Sequence, residues 1–268
     1  MAEDDFPPEV SARLDAVAGC LARARRVLFI TGAGISADSG LPTYRGVGGL
    51  YEGELTEEGL AIEEALSGEV FAMRPDITWR YLTQIEAGCR GAQPNDAHRA
   101  IAWLEERLDR VMVFTQNVDG LHRMAGSRDL IEIHGNLHNL LCTVCAHEEI
   151  VDDLEGRELP PQCPACGGLL RPNVVLFGEA LPEAEMTRFI DALQTGFDMV
   201  FSIGTSSVFP YIVQPVVYAA RSGVPTVEIN PSHTPLSEIV SFHLPLGAVA
   251  AMRALIQRAG CQAASLIQ

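Results

Sequence analysis

Lysine is missing from this chain: all 19 of its basic residues are arginine. With no primary amine on any side chain, the Schiff-base lysine of pyridoxal-phosphate enzymes, the Walker A lysine and the kinase strand lysine are all excluded. Regulation through acylation of a lysine side chain is excluded too, leaving the N-terminal amine as the one acceptor of that kind. Long apolar runs are also missing. Stretches such as Val111 to Phe114 and Val174 to Phe177 have strand length, far below the roughly 20 residues of a membrane span. Positive charge is scarce, with 19 basic residues against 35 acidic ones and a net charge of −16. That balance argues against a nucleic-acid binder, suits a soluble surface and would attract a basic peptide. The opening MAEDDFPPEV has no basic segment leading into an apolar one, so no secretory leader and no membrane association are expected, and a cytoplasmic location is. No internal repeat or low-complexity tract is evident.

At 268 residues, 47% of them hydrophobic, the chain is long enough for one large α/β domain with a small insert. Val10, Leu14, Val17 and Leu21 recur at helical spacing, which predicts an amphipathic helix over residues 10–25. Strand-length runs follow at Arg26 to Thr31, Val111 to Thr115, Leu130 to Ile133, Asn173 to Phe177, Met199 to Ile203 and Thr226 to Ile229. Helical patterns such as Ala97 to Leu108 and Glu183 to Leu193 lie between several of them. Alternation of this kind predicts a Rossmann-like, doubly wound parallel sheet with ligands at the strands' C-terminal ends. Residues 37–95 lack a clear strand, and 138–172 are rich in Cys, Pro, Gly and acidic residues. We expect these two segments to form a smaller helical, zinc-binding domain inserted into a larger one built from 1–36, 96–137 and 173–268.

Four groups of residues carry chemistry. After the first strand, Gly32-Ala33-Gly34-Ile35-Ser36-Ala37 fits the glycine-rich dinucleotide fingerprint, though an ordinary tight turn fits as well. The acidic residue expected about 20 positions on is replaced by Pro42-Thr43-Tyr44-Arg45 and a run of glycines, which reads as a cover loop over phosphate and ribose or as a plain surface loop. Gln116, Asn117 and Asp119 follow one strand and His134 another, so a candidate base would share a crevice with amides and a carboxylate. Gly204-Thr205-Ser206-Ser207 and Asn230 end two further strands. They suit an adenosine ribose or phosphate, and helix capping is their default reading. Cys142-x-x-Cys145 and Cys163-x-x-Cys166 are separated by 17 residues, the spacing of a zinc site with four thiolates. Four thiolates leave no place for water, so the metal should be structural and the catalysis elsewhere. Cys20, Cys89 and Cys261 have no partner spacing.

Taken in order, GAGIS, the Pro-Thr-Tyr-Arg loop, TQNVDGLH, IHGN, the two Cys pairs, RPNVVLFGE, GTSSVFP and VEIN resemble the sirtuin family of NAD-dependent protein deacylases, in its bacterial form, over about residues 20–250. The resemblance implies NAD as co-substrate, one structural zinc, and acyl-lysine peptides or proteins as substrates. It implies His134 and Asn117 as catalytic residues. NAD would be held by Gly32, Ala33, Gly34, Ser36, Thr43, Tyr44, Arg45, Gln116, Asn117 and Asp119, with Gly204, Thr205, Ser206, Asn230 and Ala248 at the adenosine half. The peptide would add as a strand between Val175 to Glu179, including Phe177 and Gly178, and Val208 to Pro210, including Phe209. The acyl oxygen would displace nicotinamide, and His134 would deprotonate a ribose hydroxyl. The products would be free lysine, nicotinamide and O-acyl-ADP-ribose. A monomer is expected.

Relatives that remove succinyl and malonyl groups carry a Tyr-x-x-Arg pair that binds the acyl carboxylate. Here Leu82 and Ile85 stand at those positions, with Ala61 also assigned to the substrate pocket, so acidic acyl groups should be disfavoured and acetyl or longer apolar chains accepted. Two other functions use the same NAD site: protein mono-ADP-ribosylation, and an NAD-hydrolysing or NAD-sensing module. The peptide-cleft motifs VVLFGE and GTSSVFP favour the deacylase.

Overall fold

A computed structural model describes residues 6–42 and 55–260. The first helix, α1 (Pro8–Leu21), starts on a proline, whose missing N–H would have had no helical partner there. It buries Val10, Leu14, Val17 and Leu21, each contributing about 2 kcal/mol. β1 (Arg26–Thr31) follows and passes into a 3-10 helix over Ala33–Ser39. Next come α2 (Ile62–Ala65), α3 (Gly68–Met73), α4 (Pro75–Cys89) and α5 (Asp96–Glu105). β2 (Arg110–Thr115), α6 (Leu121–Met124) and β3 (Leu130–Glu132) return to the main sheet. β4 (Gly135–Cys142), β5 (Glu148–Ile150) and β6 (Leu170–Val174) make a second sheet. Then follow α7 (Glu183–Thr195), β7 (Met199–Ile203), α8 (Pro210–Arg221), β8 (Thr226–Ile229), β9 (Phe242–Leu244) and α9 (Ala248–Arg258).

The main sheet has the order β3-β2-β1-β7-β8-β9, and every pairing in it is parallel. Thr31 lies opposite both Thr115 and Ile203, Thr115 opposite Glu132, and Ile203 opposite Ile229. With Leu244 opposite Ile229, all six strands therefore end level with one another. Sequence order runs outward from β1 on one side and from β7 on the other, so the connections diverge between them and open a crevice above their C-terminal ends. One core packs α1, α5 and α9 onto Val27, Phe29, Val111 and Phe201. The other face buries Leu28, Ile30 and Phe114 with Phe189 and Ile212 from α7 and α8. Covering both faces explains why these strands are continuously apolar rather than alternating.

A second core lies apart from the main sheet. Ile62, Phe71, Trp79, Leu82 and Ile85 meet Leu137, Leu140, Leu170, Val174 and Leu176 across the antiparallel sheet β5-β4-β6. Trp79 is wholly buried, and its indole N–H donates to the Leu170 carbonyl at 3.1 Å.

Three local features depart from the sequence reading or lie beyond it. The strand expected over Asn173 to Phe177 in the main sheet forms earlier, as β6 over Leu170–Val174, and in the other sheet: Gly135, at φ +80°, turns the chain back after β3, and β6 pairs antiparallel with the resulting β4. A Cβ on Gly135 would sit 1.8 Å from the Asn173 carbonyl oxygen, so that pairing requires glycine. Val175 to Phe177 then runs extended beside it, with Val175 N–H donating to the His134 carbonyl and Phe177 N–H to that of Leu66. The glycine fingerprint opens into the short 3-10 helix over Ala33–Ser39 and not an α-helix, and Gly40 at φ +84° stops it. β9, three residues long, carries too little pattern to be read from sequence, and it forms because β8 offers it an edge.

Candidate active site

Glycine at positions 32, 34 and 204 lets the turns after β1 and β7 touch. A Cβ on Gly34 would lie 2.6 Å from Gly204 Cα, and one on Gly32 2.9 Å from the Gly204 carbonyl oxygen. Gly34 N–H donates to that oxygen at 2.8 Å, and Gly32 N–H to the Ile203 carbonyl at 3.0 Å. The fingerprint glycines thus close the floor of the crevice as well as freeing backbone for a ligand. Asn230 crosses the same floor, its Nδ2 donating to the Thr205 carbonyl at 3.0 Å, while Gln116 Nε2 donates to Thr205 Oγ1 at 3.0 Å. Neither Asn230 nor Thr205 caps a helix, because α8 begins only after Phe209. Ser206 is exposed and Ala248 buried at the start of α9.

The loop after β2 supplies a connected polar wall. Asn117 is buried, and its Nδ2 donates to the Gly32 carbonyl and to Ser36 Oγ, both at 3.2 Å. Ser36 Oγ donates onward to Asp119 Oδ2 at 2.7 Å, and Leu121 N–H donates to Asp119 Oδ1 at 3.0 Å. Burial nevertheless pushes the Asp119 carboxyl above the ordinary aspartate range. Behind this wall two histidines pack ring to ring at 4.8 Å: His122 Nε2 pairs with Thr31 Oγ1 at 2.9 Å, and His98 Nδ1 with Asn95 Oδ1 at 3.1 Å. Burial lowers His98 to about 4 and holds His122 well below its usual value.

His134 stands one residue beyond Ile133, where the chain leaves β3 for β4, and it reaches the same crevice. Its Nδ1 lies 2.9 Å from the Gln116 carbonyl oxygen, which can only accept. Neutral His134 therefore carries its hydrogen on Nδ1 and presents Nε2 as the lone pair. Desolvation lowers the imidazole pKa below its ordinary value, opposed by the Gln116 bond, so the base form is available at neutral pH. The Tyr211 hydroxyl sits 2.7 Å from Nε2, and Phe209 stacks on Tyr211 with centroids 5.5 Å apart. Tyr211 escapes sequence reading, since one tyrosine inside the helical run PYIVQPVV carries no motif.

Two extended segments flank His134. Phe177 and Val208 are exposed on them, Val175 and Phe209 half-buried, and Gly178 makes the bend at φ +81°. The Glu179 side chain is turned inward: Arg171 holds it with two bonds of 2.7 and 2.9 Å, Leu176 N–H adds a third at 2.9 Å, and the guanidinium keeps the carboxyl below its usual range despite desolvation. Leu82 and Ile85 are buried on α4 within the second core, and Ala61 is the residue before α2. Thr43, Tyr44 and Arg45 fall outside the described residues.

The four cysteines of the paired motifs converge with all Sγ atoms within 4.8 Å of one another. Cys142 and Cys166 are 3.5 Å apart and Cys145 and Cys163 3.7 Å, while none is in a disulfide. A tetrahedral zinc with four sulfur ligands at roughly 2.3 Å spaces them by about 3.8 Å. Val144, Cys145 and Gly168 aim backbone N–H groups at Cys142 and Cys166 sulfurs at 3.3 to 3.4 Å, which favours thiolates. The chemistry and the spacing fit zinc.

A parallel sheet with a polar crevice at its switch point and a four-thiol module beside it defines an α/β nucleotide-site protein with an accessory metal domain. The model of the Sir2 family matches residues 32–210. NAD-dependent protein deacylase 2 of Pseudomonas aeruginosa is 51% identical over 232 residues, covering 85% of this chain and 90% of the relative. The NAD-dependent protein deacylase of Aquifex aeolicus is 39% identical, covering 81% and 88%. A solved Sir2 homologue–NAD complex superposes with a TM-score of 0.82 at 34% identity, over 92% of this chain and 93% of that one. A Sir2–p53 peptide–NAD+ complex does so at 0.78 and 31%, over 91% and 98%. The chain belongs to the Sir2 family.

Proposed function

We propose that this chain is an NAD-dependent protein lysine deacylase, releasing nicotinamide and O-acyl-ADP-ribose. One observation carries the reading: level strand ends bring Asn117, Asp119, Ser36 and His134 to a single crevice, beside two extended segments with exposed apolar side chains. NAD supplies the electrophile, a ribose carbon whose nicotinamide can leave. Gly32, Ala33 and Gly34 are assigned to its pyrophosphate, and Thr205, Ser206, Asn230 and Ala248 to its adenosine half. Gln116, Asn117 and Asp119 are assigned to the nicotinamide ribose and carboxamide, with Ser36 tying the last two together. Thr43, Tyr44 and Arg45 retain their assignment to the cover.

His134 acts as the base through Nε2, its tautomer set by the Gln116 carbonyl. The peptide adds as a strand between residues 175–179 and 208–210, and Phe177 and Val208, exposed on the two sides, are its apolar contacts. The net charge of −16 favours basic peptides. Cys142, Cys145, Cys163 and Cys166 hold one structural zinc; thiols kept for a metal fit a reducing compartment, consistent with the cytoplasm. Among the described residues no helix is long and apolar enough to cross a membrane.

The test is mass spectrometry of an acyl-lysine peptide panel incubated with NAD, comparing wild type with His134→Ala. Deacylated peptide from wild type alone supports the reading. Unchanged deacylation by the variant sinks the mechanism, and ADP-ribosylated products without deacylation replace it with ADP-ribosyl transfer.

A further inference from the structure

If His134 is the base, Nε2 is the atom that a ribose hydroxyl must address, and that atom already has a partner. The Tyr211 hydroxyl lies 2.7 Å away and, with the hydrogen of the ring fixed on Nδ1 by Gln116, it is Tyr211 that donates. A ring nitrogen has one lone pair, in the ring plane. It does not accept two good hydrogen bonds at once, so either Tyr211 withdraws or the incoming hydroxyl meets Tyr211 instead.

Packing favours the second course. Tyr211 sits in the first turn of α8, directly after Pro210, whose ring fixes the backbone. Its ring stacks on Phe209, meets His134 edge-on at 6.1 Å between centroids, and packs against the core under α7 and α8. Withdrawal would break those contacts and strip a half-buried imidazole of its donor. Burial also raises the phenol to about 12, so Tyr211 stays protonated and gives up its hydrogen only on receiving another.

We propose that Tyr211 is a catalytic residue, a relay that takes the ribose hydroxyl proton on Oη while passing its own proton to His134 Nε2. The inference rests on the deacylase reading. As the ribose oxygen bonds to the acyl carbon, its O–H bond breaks and the π pair of that carbon moves onto the lysine nitrogen. Tyr211 is neutral before and after, and His134 holds the positive charge until it returns the proton to the departing amine.

Tyr211→Phe keeps the ring and its stacking while deleting the relay. In the ligand-free variant, 15N NMR should show the His134 Nε2 resonance shifted and Nδ1 still protonated, and calorimetry should give ADP-ribose affinity within about 2-fold of wild type. Deacylation of an acetyl-lysine peptide should fall about 100-fold or more, while exchange of labelled nicotinamide into NAD, which needs no base, persists. Wild-type deacylation by the variant overturns the relay. So does joint loss of ADP-ribose binding, exchange and deacylation, which would make Tyr211 part of the site's framework. Wild-type enzyme that deacylates no peptide fails the deacylase reading itself, and the relay with it.

Discussion

Gly34 and Gly204 pack backbone against backbone, with 2.6 Å between Gly204 Cα and the place where a Gly34 Cβ would lie. The contact joins the turns after β1 and β7 at the divergence of the sheet, so the floor of the crevice depends on neither residue having a side chain. Gly34→Ala should cost about 1–3 kcal/mol of stability and weaken NAD binding, read by chemical denaturation and calorimetry. A variant that binds ADP-ribose as wild type does would show that the floor can yield.

His134→Ala should lower deacylation by about 10²- to 10⁴-fold with nicotinamide exchange retained. The base is competent when neutral, and burial lowers its pKa below the ordinary value near 6.5. Activity should therefore hold as pH falls to about 6.5 and decline only as it passes through the lowered pKa. A kcat/KM profile whose acid limb lies above pH 7 would contradict this placement.

His98 and His122 make the fold itself acid-sensitive. Burial takes His98 from 6.5 to about 4, with Arg99 acting in the same direction, so the unfolded chain binds a proton more readily than the folded one. That stability is complete above pH 6.5 and is lost as pH falls from 6.5 toward about 4, on the order of 3 kcal/mol in all. Urea denaturation between pH 7.5 and 5 should show the slope, and His98→Gln should reduce it, leaving the part that His122 contributes.

Removing the metal should dismantle the second core from its edge. Cys163 is buried in that core beside Leu170, so Cys163→Ser or strong chelation should release one equivalent of zinc and destabilise the protein, with activity lost as a consequence. Elemental analysis alongside thermal denaturation decides it; full stability in a zinc-free protein would refute a structural role.

Leu82 and Ile85 are apolar and buried in the second core, at 4% and 7% exposure, and we propose that they line the acyl pocket. Acetyl-lysine peptides should exceed succinyl-lysine peptides in kcat/KM by at least about 10-fold, because a buried carboxylate would have no counter-charge there. The reverse order in a side-by-side assay would remove these residues from the pocket.

Much of this was legible in the chain. RVLFIT, MVFSI and TVEI have the bounds of β1, β7 and β8 because strands covered on both faces are mainly apolar, with few polar residues such as Ser202 and Glu228 buried in them, and each stops at a glycine or asparagine. The cysteine pairs announced a four-thiol cluster because metal geometry constrains spacing directly. Asn173 to Phe177 reads as a strand of the main sheet, and its first two residues join the small sheet for an equally physical reason: an apolar run declares that it is extended, while its partner is chosen by the turn at Gly135.

What the sequence determined alone is therefore local and additive: which segments are apolar on which period, where glycine permits a turn, which thiols can share an ion, and that no lysine is present. Tertiary structure decided the rest, because hydrogen-bond partners and burial are properties of convergence. Only the fold brought Gly34 against Gly204, placed Ser36 between Asn117 and Asp119, turned Glu179 onto Arg171, and set the Tyr211 hydroxyl on His134 across 77 residues of chain.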